Sequence, residues 1–322
     1  MNRLIAATVL CLFSVAAAPL DPARGKQDKS ELRYRYEKGS KFPLKVTYSM
    51  GVKLDKIPEA FQGVLPEELL TLKFEGSLDM EVKETAEGGK TVLEGTWKTM
   101  KAKGVVMIND VDFSYDADKK GEAPKKQPGA DDPALQGLAD IEDQLRQMST
   151  QPLKLTVDDR GQVTMDGATA KGMGQMNVMF LSLNGLMGPL PKDAVAKGDS
   201  WKGEMKLPLP GPLEAVEIKV VSENTWDSME DVGGRSCALI KSKFTVAGEG
   251  QAEGGGNALN IKMKTTGEGS GKTSFAVKEG GLAKLQGGLT VKLAASFPNP
   301  GGGDDLEIKA TLKMEQSFEM KK

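Results

Sequence analysis

The sequence contains no histidine. That absence removes Ser-His-Asp and Cys-His catalysis, histidine-ligated metal centres and the side chain that titrates unaided near neutral pH. Cysteine is almost as scarce, with two residues. Cys11 lies in the N-terminal apolar stretch, so removing that stretch leaves Cys237 without an intramolecular disulfide partner. Neither sign of charge is in excess, at 43 Lys+Arg against 45 Asp+Glu. The clustered basic surplus that nucleic-acid binding demands is therefore missing, and no nucleic-acid partner is expected. Aromatic residues make up 5% of the chain, including three Trp and four Tyr. That is few to line a carbohydrate-cleaving cleft. Beyond the N-terminus no apolar run reaches the length of a membrane span.

The N-terminus itself predicts a signal peptide over residues 1–17. Arg3 supplies the positive start, Leu4 to Val15 an apolar stretch too short to span a bilayer, and Val15 and Ala17 the small-residue pattern for cleavage after Ala17. Cys11 sits mid-stretch behind Thr8, Val9 and Leu10, which argues against lipid attachment there. The mature protein is thus expected to be exported, to a periplasmic or extracellular location, with peripheral association to the envelope. Residues 18–31 are polar and unpatterned and read as a flexible leader.

A strict alternation then begins. Phe42, Leu44, Val46, Tyr48, Met50, Val52 and Leu54 occupy even positions, with Lys45, Thr47, Ser49 and Lys53 among the residues between them. Period two over this span specifies a strand with one dry face. The pattern returns in Leu70/Leu72/Phe74/Leu78/Met80/Val82, in Val105/Met107/Val111/Phe113/Tyr115, and later around Val216, Leu259, Leu289 and Leu306. One wet and one dry face is the signature of antiparallel sheet. The 38 glycines in 322 residues go largely to turns and strand bends. Cys237 falls in one of these strand-like segments and reads as a small buried hydrophobe.

Two segments carry helical spacing instead. One is an amphipathic helix near 133–149, with Leu135, Leu138, Ile141, Leu145 and Met148 on one side. The other, residues 171–191, is a Met-rich helix linker whose stripe comprises Met173, Met176, Met179, Phe180, Leu183 and Met187. Unbranched, polarizable methionine suits an adaptable apolar surface, so this stripe is the candidate ligand-binding element, set against a plain packing role in the core. On either side lie an N-terminal β-rich half (32–170) and a C-terminal β-rich half (192–322). A duplication connects them. Lys38-Gly39-Ser40-Lys41-Phe42 and Lys197-Gly198-Asp199-Ser200-Trp201 each open a half. Gly88-Gly89 and Gly233-Gly234 follow as hairpins, and the turns ending at Gly161 and Gly281 close each half.

Lys38 to Phe42, Gly198-Asp199-Ser200-Trp201 and the strand–turn–strand from Leu155 to Val163 together resemble an uncharacterised family of exported bacterial β-rich proteins. That resemblance implies no activity. The long curved strands with a helix across them are also similar in architecture to periplasmic lipoprotein carriers.

The chemistry-bearing motifs yield little. Thr266 to Thr273 approaches a phosphate-binding loop at Gly271-Lys272-Thr273, but Thr266 stands where the first glycine is required, and strand residues flank it. A glycine-rich hairpin is the better account. Asp110, Asp112, Asp116 and Asp118 lack the oxygen donors that a calcium loop needs at its fifth and twelfth positions. Asp158 and Asp159 read as a turn pair. No catalytic residue, metal ligand or cofactor is assigned. The expected fold is mainly β, with long antiparallel strands in two half-barrel-like sheets and one or two packed helices. The leading expectation is a non-enzymatic exported protein that binds a hydrophobic or lipid-linked ligand in a sheet concavity. The alternatives are an envelope structural protein without a cavity and, third, a carboxylate-dependent hydrolase.

Overall fold

A computed structural model of the chain describes residues 28–86, 88–106, 109–119, 145–165, 189–207, 217–253, 260–299 and 302–321. Six strands belong to the N-terminal half: β1 (Lys41–Lys56), β2 (Glu68–Thr85), β3 (Thr91–Val106), β4 (Asn109–Asp116), β5 (Leu153–Val157) and β6 (Val163–Met165). Six belong to the C-terminal half: β7 (Ser200–Leu207), β8 (Glu217–Val232), β9 (Arg235–Glu253), β10 (Asn260–Ala276), β11 (Gly281–Phe297) and β12 (Leu306–Met320). All twelve form one antiparallel sheet in the order β6-β5-β3-β2-β1-β12-β11-β10-β9-β8-β7, with β4 also paired to β3.

The alternation read from the sequence is what builds this sheet. Register sets Tyr48 opposite Phe74 on one side and Gln316 on the other, so the even face of β1 is continuous with its neighbours' inner faces. Val46, Tyr48, Phe74, Leu78 and Trp97 on that face are all buried. The outer face is laced with cross-strand ion pairs such as Lys41–Glu81 and Lys103–Asp112.

Where two half-barrel-like sheets are expected, the two halves instead share a single sheet. Strand β1 pairs with β12 from Leu44–Met320 to Lys56–Lys309. A long strand with an unpaired edge is a liability. The first strand of one half and the last strand of the other remove each other's edge by joining. Among the described residues the sheet does not close, since β6 and β7 end its path.

Helix is nearly absent among the described residues. It amounts to a 3-10 turn at Glu59–Phe61 and six residues at 145–150, where Leu145 and Met148 are buried. The earlier part of the helix expected near 133–149 lies outside the described residues. Two strand readings change. The run from Val105 to Tyr115 divides between the end of β3 and β4. Thr266 to Thr273, read as a glycine-rich hairpin, is the interior of β10. Its glycines serve close approach: a Cβ on Gly267 would lie 2.6 Å from the Thr290 carbonyl oxygen, and one on Gly269 would lie 2.3 Å from that of Gly288.

The duplication is visible in hydrogen bonds. Ser40 N–H donates to Glu37 O and Asp199 N–H to Ala196 O, both at 3.0 Å. Gly39 N–H then reaches Val82 O at 2.8 Å, as Gly198 N–H reaches Trp226 O at 2.7 Å. Val82 N–H answers to Ser40 O, and Trp226 N–H to Asp199 O. The register of the next pair of strands slips between Val82 and Glu84 in one half and between Trp226 and Ser228 in the other.

Candidate functional site

One end of the sheet gathers the turns after β2, β5, β8 and β10, and a strap of residues 28–36 crosses it. Ser30 exchanges backbone bonds with Val195, at 2.8 and 3.0 Å. Tyr34 N–H donates to Asp159 O in the β5–β6 turn, and Arg35 N–H to Gly280 O in the β10–β11 turn, both at 2.8 Å. The Arg33 guanidinium lies 3.3 Å from the Asp159 carboxylate and donates to the carbonyls of Pro191 and Lys192. The strap thereby ties turns from the two wings together. Leu190 extends this tie, exchanging bonds with Arg160 while Trp201 on β7 donates its indole N–H to Pro189 O at 2.9 Å.

Beneath the strap is an apolar pocket of about 110 Å³. Tyr34 and Tyr36 come from the strap, Phe42 from β1, Met165 from β6, Leu282 from β11 and Phe318 from β12. Met165 and Leu282 lie on strands separated by five others in the sheet path, so the sheet bends enough to bring them to one cavity. No charged residue is among the described lining. Tyr36 stacks between Tyr34 and Phe42, with ring centroids at 5.8 and 6.0 Å, and Phe275 meets Tyr34 edge-on at 5.2 Å. Burial pushes both phenols above the usual tyrosine range, so the pocket stays uncharged at physiological pH. Its volume approaches that of cavities that hold a benzene-sized group, roughly 150 Å³, and lies below the roughly 300 Å³ where whole-ligand clefts begin. It fits a ring or a few methylenes.

A second concavity, of about 1120 Å³, lies on the opposite face across the middle of β2, β1, β12, β11, β10 and β9. Its floor carries hydroxyl and amide groups from Thr47, Ser49, Ser270, Gln286 and Ser317, and its β9–β10 wall carries Lys241, Lys243 and Lys272. Glu75, Glu268 and Glu315 also line it, each pair with a strand between them.

The six residues singled out in the Met-rich stripe, Met173, Met176, Met179, Phe180, Leu183 and Met187, all lie outside the described residues. The four aspartates of the would-be calcium loop do not gather. Asp112 pairs with Lys103 and Asp116 with Lys119, and no group of three metal-binding side chains occurs among the described residues. Cys237 is fully buried, and desolvation raises its thiol pKa. The pocket's strap aromatics were missed, although Leu32, Tyr34 and Tyr36 alternating with Arg33 and Arg35 is a short period-two run. Of the stretch read as leader, residues 28–31 are described, and Ser30 is bonded to Val195.

No family model matches the chain, and no curated protein matches it. Among solved structures it is similar to lipovitellin, in a structure titled for lipid–protein interactions, at 7% identity and a TM-score of 0.41. That match covers 89% of this chain and 26% of lipovitellin, so the chain spans about a quarter of that protein's length. It is also similar to the outer membrane protein OmpT of Vibrio cholerae, at 9% identity and a TM-score of 0.13, covering 88% of this chain and all of the other. Likeness at this level establishes neither family nor function.

Proposed function

We propose that this is an exported, non-enzymatic protein whose sheet takes up the apolar part of a hydrophobic or lipid-linked ligand. The single observation that carries this reading is the uncharged pocket beneath the strap, to which both wings of the sheet contribute. In this proposal the wings act as half-barrels, and the strap caps the end where they converge. The Met-rich segment 171–191 would supply further apolar contact. The small volume fits the tip of an acyl or isoprenoid chain, with the remainder lying along the half-buried residues of the same face, such as Met50, Leu293 and Leu312.

Native mass spectrometry of protein gently extracted from its own envelope tests the reading. The expected result is a population carrying additional mass that fragments as lipid; repeated absence of bound mass overturns it. A second test uses cis-parinaric acid, whose fluorescence rises in apolar surroundings. Met165→Trp fills the pocket from an edge strand and is expected to abolish that rise, at a cost of about 1–3 kcal/mol in stability from overpacking. Retention of the full signal in a folded Met165→Trp protein would count against the pocket.

A further inference from the structure

Over much of the outer face of the sheet, charge is answered by its opposite across the strands. Lys41 pairs with Glu81, Lys103 with Asp112 and Lys202 with Glu223. Even where register sets Lys206 against Lys219, Glu217 and Glu204 reach across to them at 2.8 and 2.7 Å.

Lys272, in the trough wall, has no such answer. Directly across from it are Lys241 on β9 and Gln286 on β11. Diagonal places on the same strands belong to Lys243 and Lys284. Three carboxylates nearby are committed elsewhere: Asp227 to Lys241 at 2.8 Å, Glu223 to Lys202 at 3.0 Å, and Glu230 to the Ser274 hydroxyl. Glu268 and Glu315 share the trough but come within 4 Å of none of these lysines' ammonium groups. Glu319 stands across from Lys284 in the register without an ion pair at 4 Å or less. Lys243, Lys272 and Lys284 form no ion pair with any described residue. Like charges set against one another on a sheet destabilise it. Here Lys241, Lys243 and Lys272 line a concavity of about 1120 Å³, at the upper end of ligand clefts.

We infer that this trough binds an anionic, polyhydroxylated ligand: an acidic sugar chain, free or carried as a lipid headgroup. Lys243 and Lys272, with Lys284 at the rim, meet its charged groups. The hydroxyl and amide floor of Thr47, Ser49, Ser270, Gln286 and Ser317 meets its hydroxyls. That floor crosses four strands, about 14 Å at the usual spacing, which is too broad for a lone inorganic anion. The site lies on the face opposite the apolar pocket and stands or falls separately from it.

The test uses the whole protein and a heparin-derived hexasaccharide as probe. Lysine acetylation is read residue by residue by mass spectrometry, and affinity by calorimetry. The probe is expected to protect Lys243, Lys272 and Lys284 while leaving Lys103 and Lys206, on the same face, reactive. The double substitution Lys243→Gln/Lys272→Gln is expected to weaken binding about tenfold or more, a change of roughly 1.4 kcal/mol. Lys103→Gln is expected to leave binding unchanged, and added salt to weaken it. Neutral maltohexaose should not bind. Competition by phosphatidylcholine vesicles doped with phosphatidylinositol assigns the ligand to a lipid headgroup, and its absence assigns it to a free glycan. Even protection of all exposed lysines, equal losses in Lys103→Gln and the double variant, or binding of the neutral sugar would each overturn the site. The double variant should also unfold at the same or higher denaturant concentration, because it relieves repulsion; lower stability counts against the inference.

Discussion

The two wings of the sheet start from one backbone plan and fill it with different chemistry. Counted back from the register slip in each, Val82–Leu93 corresponds to Trp226–Ile240, Met80–Gly95 to Asn224–Ser242, and Leu78–Trp97 to Ser222–Phe244. In the N-terminal wing these positions are apolar, and Trp97 meets Phe74 edge-on at 5.5 Å. In the C-terminal wing Trp226, Ile240 and Phe244 stay apolar, but the other three form a buried polar cluster: Asn224 donates to Ser222 at 3.0 Å and accepts from Ser242 at 2.7 Å. Beyond it, on β10, the buried hydroxyls of Thr265 and Thr273 have no partner among the described residues. Turn and slip positions set the frame, while the side chains inside decide how tightly each wing is filled. The N-terminal wing is organised as core. The C-terminal wing trades packing for small and polar residues, and its outer face holds the lysine cluster.

The largest expected effect breaks the better-packed wing. Trp97 is 1% exposed, and Trp97→Ala should cost about 3–5 kcal/mol, the usual range for a large aromatic lost from a core. Urea unfolding monitored by circular dichroism measures it. A loss below about 1 kcal/mol would mean that the N-terminal wing is not the stronger packing unit.

Next comes the polar cluster. Asn224→Ala strands the Ser222 and Ser242 hydroxyls and should cost about 1–3 kcal/mol. Importing the other wing's pair, Asn224→Met with Ser242→Gly, removes both ends of the 2.7 Å bond and should cost less than the single substitution. If the double variant is the less stable of the two, the correspondence between Met80–Gly95 and Asn224–Ser242 does not extend to packing.

How much of this was legible depends on scale. The period-two runs specify the strands and their dry face because burial on one side imposes that period. The paired openings at Gly39 and Gly198 and the hairpins at Gly88-Gly89 and Gly233-Gly234 were legible because positive φ selects glycine. What joins β1 to β12 was not, since strand pairing between residues some 270 apart leaves no local mark. The glycines of β10 mislead for a related reason. Glycine needed for close approach to β11 looks, in sequence, like glycine needed for a turn. The pocket was hidden because its lining is drawn from the strap and seven strands, and the lysine cluster because register alone sets Lys241 across from Lys272, with Lys284 on the diagonal.

A smaller effect tests whether the two openings are one motif. Gly39 and Gly198 have φ of 84° and 89°, with nothing near the place a Cβ would occupy. Gly39→Ala and Gly198→Ala should therefore each cost roughly 1–2 kcal/mol, from left-handed strain alone, and by the same amount within error in denaturant titrations. Unequal costs would mean that one opening relies on contacts that the other lacks.

The smallest effect concerns the charged residues at the two slips. In the N-terminal wing the slipped residue is Lys83, which lies 3.1 Å from Glu81 and 3.3 Å from Glu94. In the C-terminal wing it is Asp227, 2.8 Å from Lys241. The Lys83 hydrogen bond holds the Glu81 carboxyl below its usual range, and the Lys241 hydrogen bond does the same for Asp227. A carboxyl depressed in the folded state stabilises it above the unfolded-state pKa, about 4. That contribution disappears as pH falls through the lower folded-state value. Glu81→Gln and Asp227→Asn should therefore each lower the unfolding midpoint slightly at pH 7, flatten its decline below about pH 5, and match the parent protein once both states are protonated. Because both carboxyls are solvent-exposed, added salt should shrink the difference at pH 7. A midpoint for Asp227→Asn that is lower than the parent's by the same margin at every pH would show that the side chain acts by shape at the slip, and that the reversed charges of the two wings are incidental.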